Sequence, residues 1–379
     1  MRLCLLNQLT WQYIAYARAI RHSDLVFLGA YCRENLRSSE CCQFYDLAFM
    51  WDQCSFDTLA AMIHLNLATL VLGLFVTACN AATYSRTDSI SGTDFLSEFS
   101  HQAIADPTHG RVNYLSQADA LAQNLTFASG DTFIMRADFT TVLDPSGPGR
   151  NSVRIQSNNQ FSTHVIIMDI RHMPEGCSTW PAAWEVGDDW PNNGEVDIVE
   201  GVNSVTPNQA TLHTSAGCTM PATVSTQTGY GTTVSTDCDA NDNNNAGCGV
   251  KSTDPNSFAA GFNSAGGGWY AMERTTTEIR VWFWSRTDGS VPSDVQNAPT
   301  SIDTSTWGTP FADFPDTDCD LASHFGPNNV VVDLTFCGDF AGAVFTSDGC
   351  GADCDTFVNE NPSAFVNAFW DFASMNIYQ

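Results

Sequence analysis

What most constrains this chain is the texture it takes on from Ala82 to its end. Short runs rich in Val, Ile, Phe, Thr and Trp alternate there with clusters of Gly, Pro, Asn and Asp. Such runs lie at 132–139, 153–156, 163–170, 196–199, 278–284 and 330–336, with a last one at 369–378. β-Branched and aromatic side chains pack well on a pleated surface, and the residues between them supply turns. Sustained helical periodicity is hard to find. The predicted class is therefore all-β, a sandwich or barrel of antiparallel strands. No internal repeat or low-complexity linker interrupts 82–379, so it is read as one domain. It is long for one sandwich, and its long loops are expected to wall a cleft.

The segment before it reads differently. Residues 65–79, LNLATLVLGLFVTAC, are apolar but fall short of the about 20 residues a membrane span needs. They suit the apolar region of a secretory signal within 62–81. Met62 is a sensible start, and Cys79 and Ala81 offer small residues for cleavage after Ala81. The region just after Met62 carries His64 but no Lys or Arg. Residues 1–61 are then a non-core extension from a misplaced start. The competing reading is a cytoplasmic tail, with 65–79 as a short signal anchor.

Fourteen cysteines divide at the same boundary. Cys4, Cys32, Cys41, Cys42, Cys54 and Cys79 precede it. Cys177, Cys218, Cys238, Cys248, Cys319, Cys337, Cys350 and Cys354 follow, among Gly, Asn, Asp and Thr. An even number in loop-like sequence points to disulfides and an oxidising compartment, with the pairing left open. Zinc would want two close pairs, and only Cys350 and Cys354 come near that pattern. Asn124-Leu125-Thr126 is an N-glycosylation sequon and agrees with secretion.

Charge narrows the partner. Acidic residues number 42 against 15 basic ones, for a formal net charge of −27. Such a surface repels nucleic acid and anionic lipid. A neutral sugar polymer fits, because aromatic rings, 11% of the chain, stack on sugar faces without charge. The plainer reading is that acidity only keeps the protein soluble.

The chemistry concentrates in Gly194-Glu195-Val196-Asp197-Ile198-Val199-Glu200-Gly201. Alternate residues of a strand share a face. Glu195 and Asp197 thus point one way, while Val196 and Ile198 point into the core. Glu200 would point the wrong way unless one extra residue, a β-bulge, returns it to the carboxylate face. The alternative is an edge strand made polar for solubility, but no Lys or Arg stands nearby in sequence to balance three like charges. Crowded carboxylates shift one another's pKa, which separates an acid from a base. Glycoside hydrolysis uses such a pair, about 5–5.5 Å apart in retaining enzymes. With a bulge the two glutamates behave as i and i+4, so convergent side chains must close a Cα gap of about 13 Å. Upstream, Trp180, Trp184 and Trp190 lie within 11 residues, broken by Pro181 and followed by Pro191-Asn192-Asn193. They make sugar platforms, although at least one, Trp180 first, also reads as core.

Trp-Pro-Ala-x-Trp, followed by Trp-Pro-x-x-Gly-Glu-x-Asp-x-x-Glu-Gly, resembles glycoside hydrolase family 16. The likeness continues in 106–114 (DPTHGRVNY), 211–214 (TLHT) and 266–273 (GGGWYAME), and it spans 82–379 but not 1–81. The type it is most similar to is the fungal secreted laminarinase. The resemblance implies a jelly-roll β-sandwich of two curved antiparallel sheets with a concave substrate groove. It implies Glu195 as nucleophile, Glu200 as general acid/base and Asp197 as the assisting carboxylate. Trp184 and Trp190 match sugar-lining aromatics, His213 a histidine near the catalytic strand, and Arg154 a glycone-side arginine. Asn192 and Phe340 join them as candidate substrate contacts. His213 also reads as a satisfied core histidine, and Arg154 as a surface salt bridge. Where close laminarinases carry Trp after Cys-Gly-Asp, this chain has Phe340, which stacks with less area. Some family members bind a structural calcium, and nothing in this sequence points to that site.

The expected function is a secreted, monomeric retaining endo-β-glucanase acting on β-1,3- and mixed β-1,3/1,4-glucan, with no metal or cofactor required. A transglycosylase would use the same carboxylates, and a glucan-binding module would keep only the tryptophans. A membrane-anchored wall-remodelling protein would retain 1–81.

Overall fold

The computed structural model describes residues 83–223 and 229–379. The extension 1–61, the signal segment 62–81 and the six cysteines through Cys79 lie outside the described residues. Nineteen strands follow one another in those that are described. They are β1 Thr83–Ile90, β2 Phe99–His101, β3 Val112–Tyr114, β4 Thr126–Ser129, β5 Thr132–Arg136, β6 Arg150–Ser152 and β7 Arg154–Phe161. Next come β8 His164–His172, β9 Thr179–Gly187, β10 Glu195–Glu200, β11 Gln209–His213, β12 Thr232–Thr233 and β13 Cys248–Lys251. The last are β14 Gly268–Arg274, β15 Glu278–Ser285, β16 Ser301–Asp303, β17 Ala312–Pro315, β18 Asn328–Phe336 and β19 Phe369–Tyr378. Described α-helices reach at most the seven residues of Cys354–Glu360, under two full turns. Segments that short carry almost no 3.6-residue pattern, which is why none was legible.

Two large antiparallel sheets form the jelly roll. One runs β16-β1-β19-β8-β14-β15-β17, with β5 also on β19 and β4 on β5. The other runs β12-β13-β11-β10-β9-β18-β7-β2. Alternation along the strands sets what lies between them. Ile166, Met168 and Ile170 of β8 meet Val196, Ile198 and Val199 of β10 in the main core, with Tyr270, Met272, Ile279 and Val281. The other face of β8, Val165 and Ile167, packs into a second cluster with Trp269, Trp282, Trp284 and Trp307. β8 is thus covered on both sides, which explains why 165–168 reads as a continuous apolar run rather than an alternating one.

All eight cysteines after residue 82 pair: Cys177–Cys350, Cys218–Cys319, Cys238–Cys248 and Cys337–Cys354. Cys350 and Cys354, the nearest approach to a zinc pair, go to different partners. Asn124 is exposed in the turn between the helix Gln117–Ala122 and β4.

Candidate active site

The carboxylate strand β10 sits inside its sheet, between β9 and β11. Opposite β9, Glu195 pairs with Val186, Asp197 with Trp184 and Glu200 with Ala182, and the register slips between Asp197 and Val199. The three partners are alternate residues of β9, so the three acids share one face. Opposite β11 they pair with His213, Thr211 and Gln209, again in alternation. The slip is the extra residue that Glu200 requires, and it lets both Ile198 and Val199 enter the core. Gly194 prepares the strand's entry. Its φ of +74° is left-handed, and a Cβ there would lie 2.4 Å from the Phe325 ring. Asn328 then donates to the Gly194 carbonyl at 3.1 Å and accepts from Arg274 at 2.8 Å.

Across the face, in-register residues form rows. Glu200, Ala182, Asp333 and Arg154 make one, and Asp197, Trp184, Val331 and Gln156 the next. The Arg154 guanidinium donates to Asp333 Oδ2 at 2.8 Å and to Gln102 Oε1 at 2.8 Å. It lies 5.0 Å from the Trp184 ring centroid, and the Trp184 indole donates to Asp333 at 3.3 Å. Both members of the Arg154–Asp333 pair are buried, so this is not a surface salt bridge.

His213 belongs to the site as well. Its Nε2 lies 3.3 Å from Asp197 Oδ2, and its Nδ1 lies 2.8 Å from Asn245 Oδ1. Trp190, 44% exposed, stands on the loop between β9 and β10, and its indole hydrogen bond favours ionised Glu195. Asn192 lies in the same loop and donates to Asp189 Oδ2 at 3.2 Å, so its hydrogen bonds stay local. Phe340 is exposed and meets Trp180 edge-on, with centroids 5.6 Å apart. Trp180 in turn donates its indole N–H to Glu200 Oε1 at 2.9 Å.

Electrostatics follow from this crowding. Burial first, then the Asp197 charge, pushes Glu195 well above the usual carboxylate range, against the nearby His213. Asp197, only 2% exposed, is pushed well up by burial and then by Glu200. Glu200 is raised by burial and pulled back by the Trp180 hydrogen bond. Asp333 rises to about 6 through burial, with Arg154 opposing. Neighbouring acids on one partly buried face cannot all ionise together, so they share protons and titrate as a set. Among the described residues, Glu195, Asp197 and His213 also form the one trio of potential metal donors, within 4.8 Å of one another.

Trp180, read in the sequence as a sugar platform or as core, shares its face with Trp184 by the i, i+4 parity of β9. Asp333 and Asn245 were not singled out in the sequence. Asp333 was visible as an acid inside the apolar run VVVDLTF. Asn245 gave no signal.

Residues 99–378 match the family model described as the XgeA-like, catalytic GH16 domain. The chain is similar to GH16 laminarinase 16A of Phanerochaete chrysosporium, solved with two β-glucans, 6-O-glucosyl-laminaritriose, in its donor and acceptor sites. The two are 57% identical, with 79% of this chain and 100% of that one covered and a TM-score of 0.77. An elongating family 16 β-1,3-glucosyltransferase is 38% identical, covering 78% and 100% of the two chains, with a TM-score of 0.72. A probable endo-1,3(4)-β-glucanase of Aspergillus niger is 39% identical over 324 residues, which is 83% of this chain and 42% of that protein. The chain thus spans less than half the length of that curated relative.

Proposed function

Because the chain belongs to glycoside hydrolase family 16, we propose that it is a retaining endo-β-glucanase that cleaves β-1,3- and mixed β-1,3/1,4-glucans. The observation that carries this is the bulged strand: it turns Glu195, Asp197 and Glu200 onto one face beside exposed indole and phenyl rings. The similarity to a laminarinase solved with β-glucans, at 57% identity, supports the substrate class.

In this reading ionised Glu195 attacks the anomeric carbon. The bond from that carbon to the leaving glucan's oxygen breaks, and Glu200 gives that oxygen its proton. Glu200 then takes a proton from water, whose oxygen displaces Glu195 from the same carbon, so configuration is retained. Asp197, backed by His213, holds or releases a proton as the charge on its two neighbours changes. Trp184, Trp190 and Phe340 stack on sugar rings, and Arg154 with Gln102 presents donors on the Asp333 side of the face. The scheme uses no metal or organic cofactor.

A second reading is glycosyl transfer to another sugar, favoured by the similarity to the elongating glucosyltransferase. Both begin with the same glycosyl-enzyme and differ in whether water or a sugar hydroxyl resolves it.

The proposal extends to processing. Residues 62–81 direct secretion and are removed, Asn124 carries a glycan, and the mature enzyme works as a monomer. No described helix is long and apolar enough to cross a membrane.

The test is time-resolved NMR of products from laminarin and from mixed-linkage glucan, with and without an added laminari-oligosaccharide. Early β-anomeric oligosaccharides are expected. Initial α-anomers would overturn retention, chains longer than the substrate would favour transfer, and no product from either polymer would overturn the substrate assignment.

A further inference from the structure

The segment between Cys238 and Cys248 takes no part in the reaction described above, yet its backbone is unusual. Asn243, Asn244 and Asn245 are consecutive left-handed residues, with φ of 49°, 55° and 57°. Non-glycine residues visit that region at an energetic cost and as single residues, not in runs. Asn tolerates it best, which accounts for the composition Asp-Asn-Asn-Asn here. Backbone held in a costly conformation is a pointer to function when its surroundings over-determine it. They do so here. The Cys238–Cys248 disulfide closes the segment, Asn245 N donates to Asp242 O at 3.0 Å, and Asp239 accepts from Asn241 N at 2.9 Å. Thr214, next to His213, exchanges backbone hydrogen bonds with Cys238 and Ala240 at 2.8 and 2.9 Å.

The left-handed run ends at the active site. It places Asn245 Oδ1 2.8 Å from His213 Nδ1, while His213 Nε2 faces Asp197 Oδ2 at 3.3 Å. An amide oxygen can only accept, so Nδ1 carries a hydrogen and Nε2 is left to face the carboxylate. We propose that Asn245 is a positioning residue: it fixes His213 as the Nδ1–H form, so that Nε2 is free to exchange a proton with Asp197. Other groups facing His213 are Glu195, in register across β10 and β11, and Glu200 further along the same strand. Arg154 is already paired with Asp333, so among the described residues His213 is the basic side chain that faces Asp197. The consequence for turnover rests on the glucanase reading, whereas the form of the ring does not.

Two substitutions test it. Asn245→Gly deletes the amide and eases the left-handed backbone instead of straining it further. Asn245→Asp keeps an acceptor oxygen. In ¹⁵N–¹H NMR without substrate, the wild type and Asn245→Asp should show a slowly exchanging Nδ1–H on His213, and Asn245→Gly should lose it. Without an oriented imidazole, Glu195 holds its proton to higher pH, so the acidic limb of kcat/KM on laminarin moves upward in Asn245→Gly. Its rate at the optimum should fall about tenfold, with KM and melting temperature near wild type. Asn245→Asp should move the limb back. An Nε2–H signature in the wild type, or an Asn245→Gly variant that keeps both the Nδ1–H signal and the acidic limb, would overturn the proposal. A wild type that does not hydrolyse laminarin would defeat the glucanase reading, and the NMR arm would still decide the positioning.

Discussion

Trp180→Phe isolates one hydrogen bond in the proposed acid/base. The indole N–H reaches Glu200 Oε1 at 2.9 Å and favours the ionised carboxylate. Phenylalanine keeps an aromatic ring beside Phe340, with less area than the indole, and removes the donor. A hydrogen bond to a charged group contributes about 1.5–3 kcal/mol, and half-buried Glu200 belongs at the lower end. At 1.36 kcal/mol per unit, losing about 1.5 kcal/mol raises the Glu200 pKa by about one unit. The sign is fixed: the bond stabilises the ionised form, so without it Glu200 keeps its proton to higher pH. In the free enzyme Glu200 must be protonated to act on the leaving oxygen. The basic limb of kcat/KM on laminarin should therefore move up by about one unit in the variant. The second half-reaction needs Glu200 ionised, so at low pH the glycosyl-enzyme should accumulate, visible by mass spectrometry of acid-quenched samples. A basic limb that stays in place or moves down would refute the reasoning.

Two further predictions follow from the same carboxylates. Glu195→Gln should abolish turnover while laminarin binding, measured by calorimetry, survives; wild-type-like activity would remove Glu195 as nucleophile. Glu195, Asp197 and Glu200 are raised, Asp333 to about 6 and Asp313 to about 7, so across pH 4 to 7 the folded protein holds protons that the unfolded chain has released. Stability from these groups is then fully present below the unfolded carboxylate range and is lost as pH rises through the folded values, about 6 for Asp333 and about 7 for Asp313, opposed below pH 6.5 by His101 and His172, which burial keeps neutral. Scanning calorimetry should give a higher melting temperature at pH 4.5 than at 7.5, and a profile that rises toward 7.5 would count against the buried acids.

What was legible in the sequence had a local cause. The strand at 196–199, its bulge and the shared face of three acids all follow from two-residue periodicity within eight residues. The tryptophans were legible from their clustering just before the carboxylates and His213 only through the family's motifs, and the structure brings Trp184, Trp190 and His213 to the carboxylates. What was not legible depends on distant pairing. Arg154 and Asp333 meet because β7 and β18 are neighbours in a register that no local pattern encodes. The disulfides are of the same kind: Cys350 and Cys354 are four residues apart and reach partners at 177 and 337. Asn245 is a third case, since its left-handed backbone is set by a loop closed at Cys238 and Cys248 and aimed at a strand that starts at Gln209.

The position of the countercharge explains how such a site can exist on a sheet. Three acids on one face repel, and the inner face of the same strands resists. Val196, Ile198 and Val199 of β10, Ala183 of β9, Val330 and Val332 of β18 and Ile155 of β7 all lie in one core, so a register slip would expose them. That leaves the opposite face free to hold groups that do not suit one another. Had Arg154 stood beside Glu200, it would have kept that glutamate ionised and unable to protonate a leaving group. It stands instead beyond β9 and β18, bound to Asp333, where it holds the Trp184 indole against the same carboxylate and leaves Glu200 free to keep its proton. The sequence's lack of a basic neighbour to the carboxylates is therefore the arrangement that acid catalysis needs. The fourth acid, Asp333, holds the site's arginine at a distance from the other three.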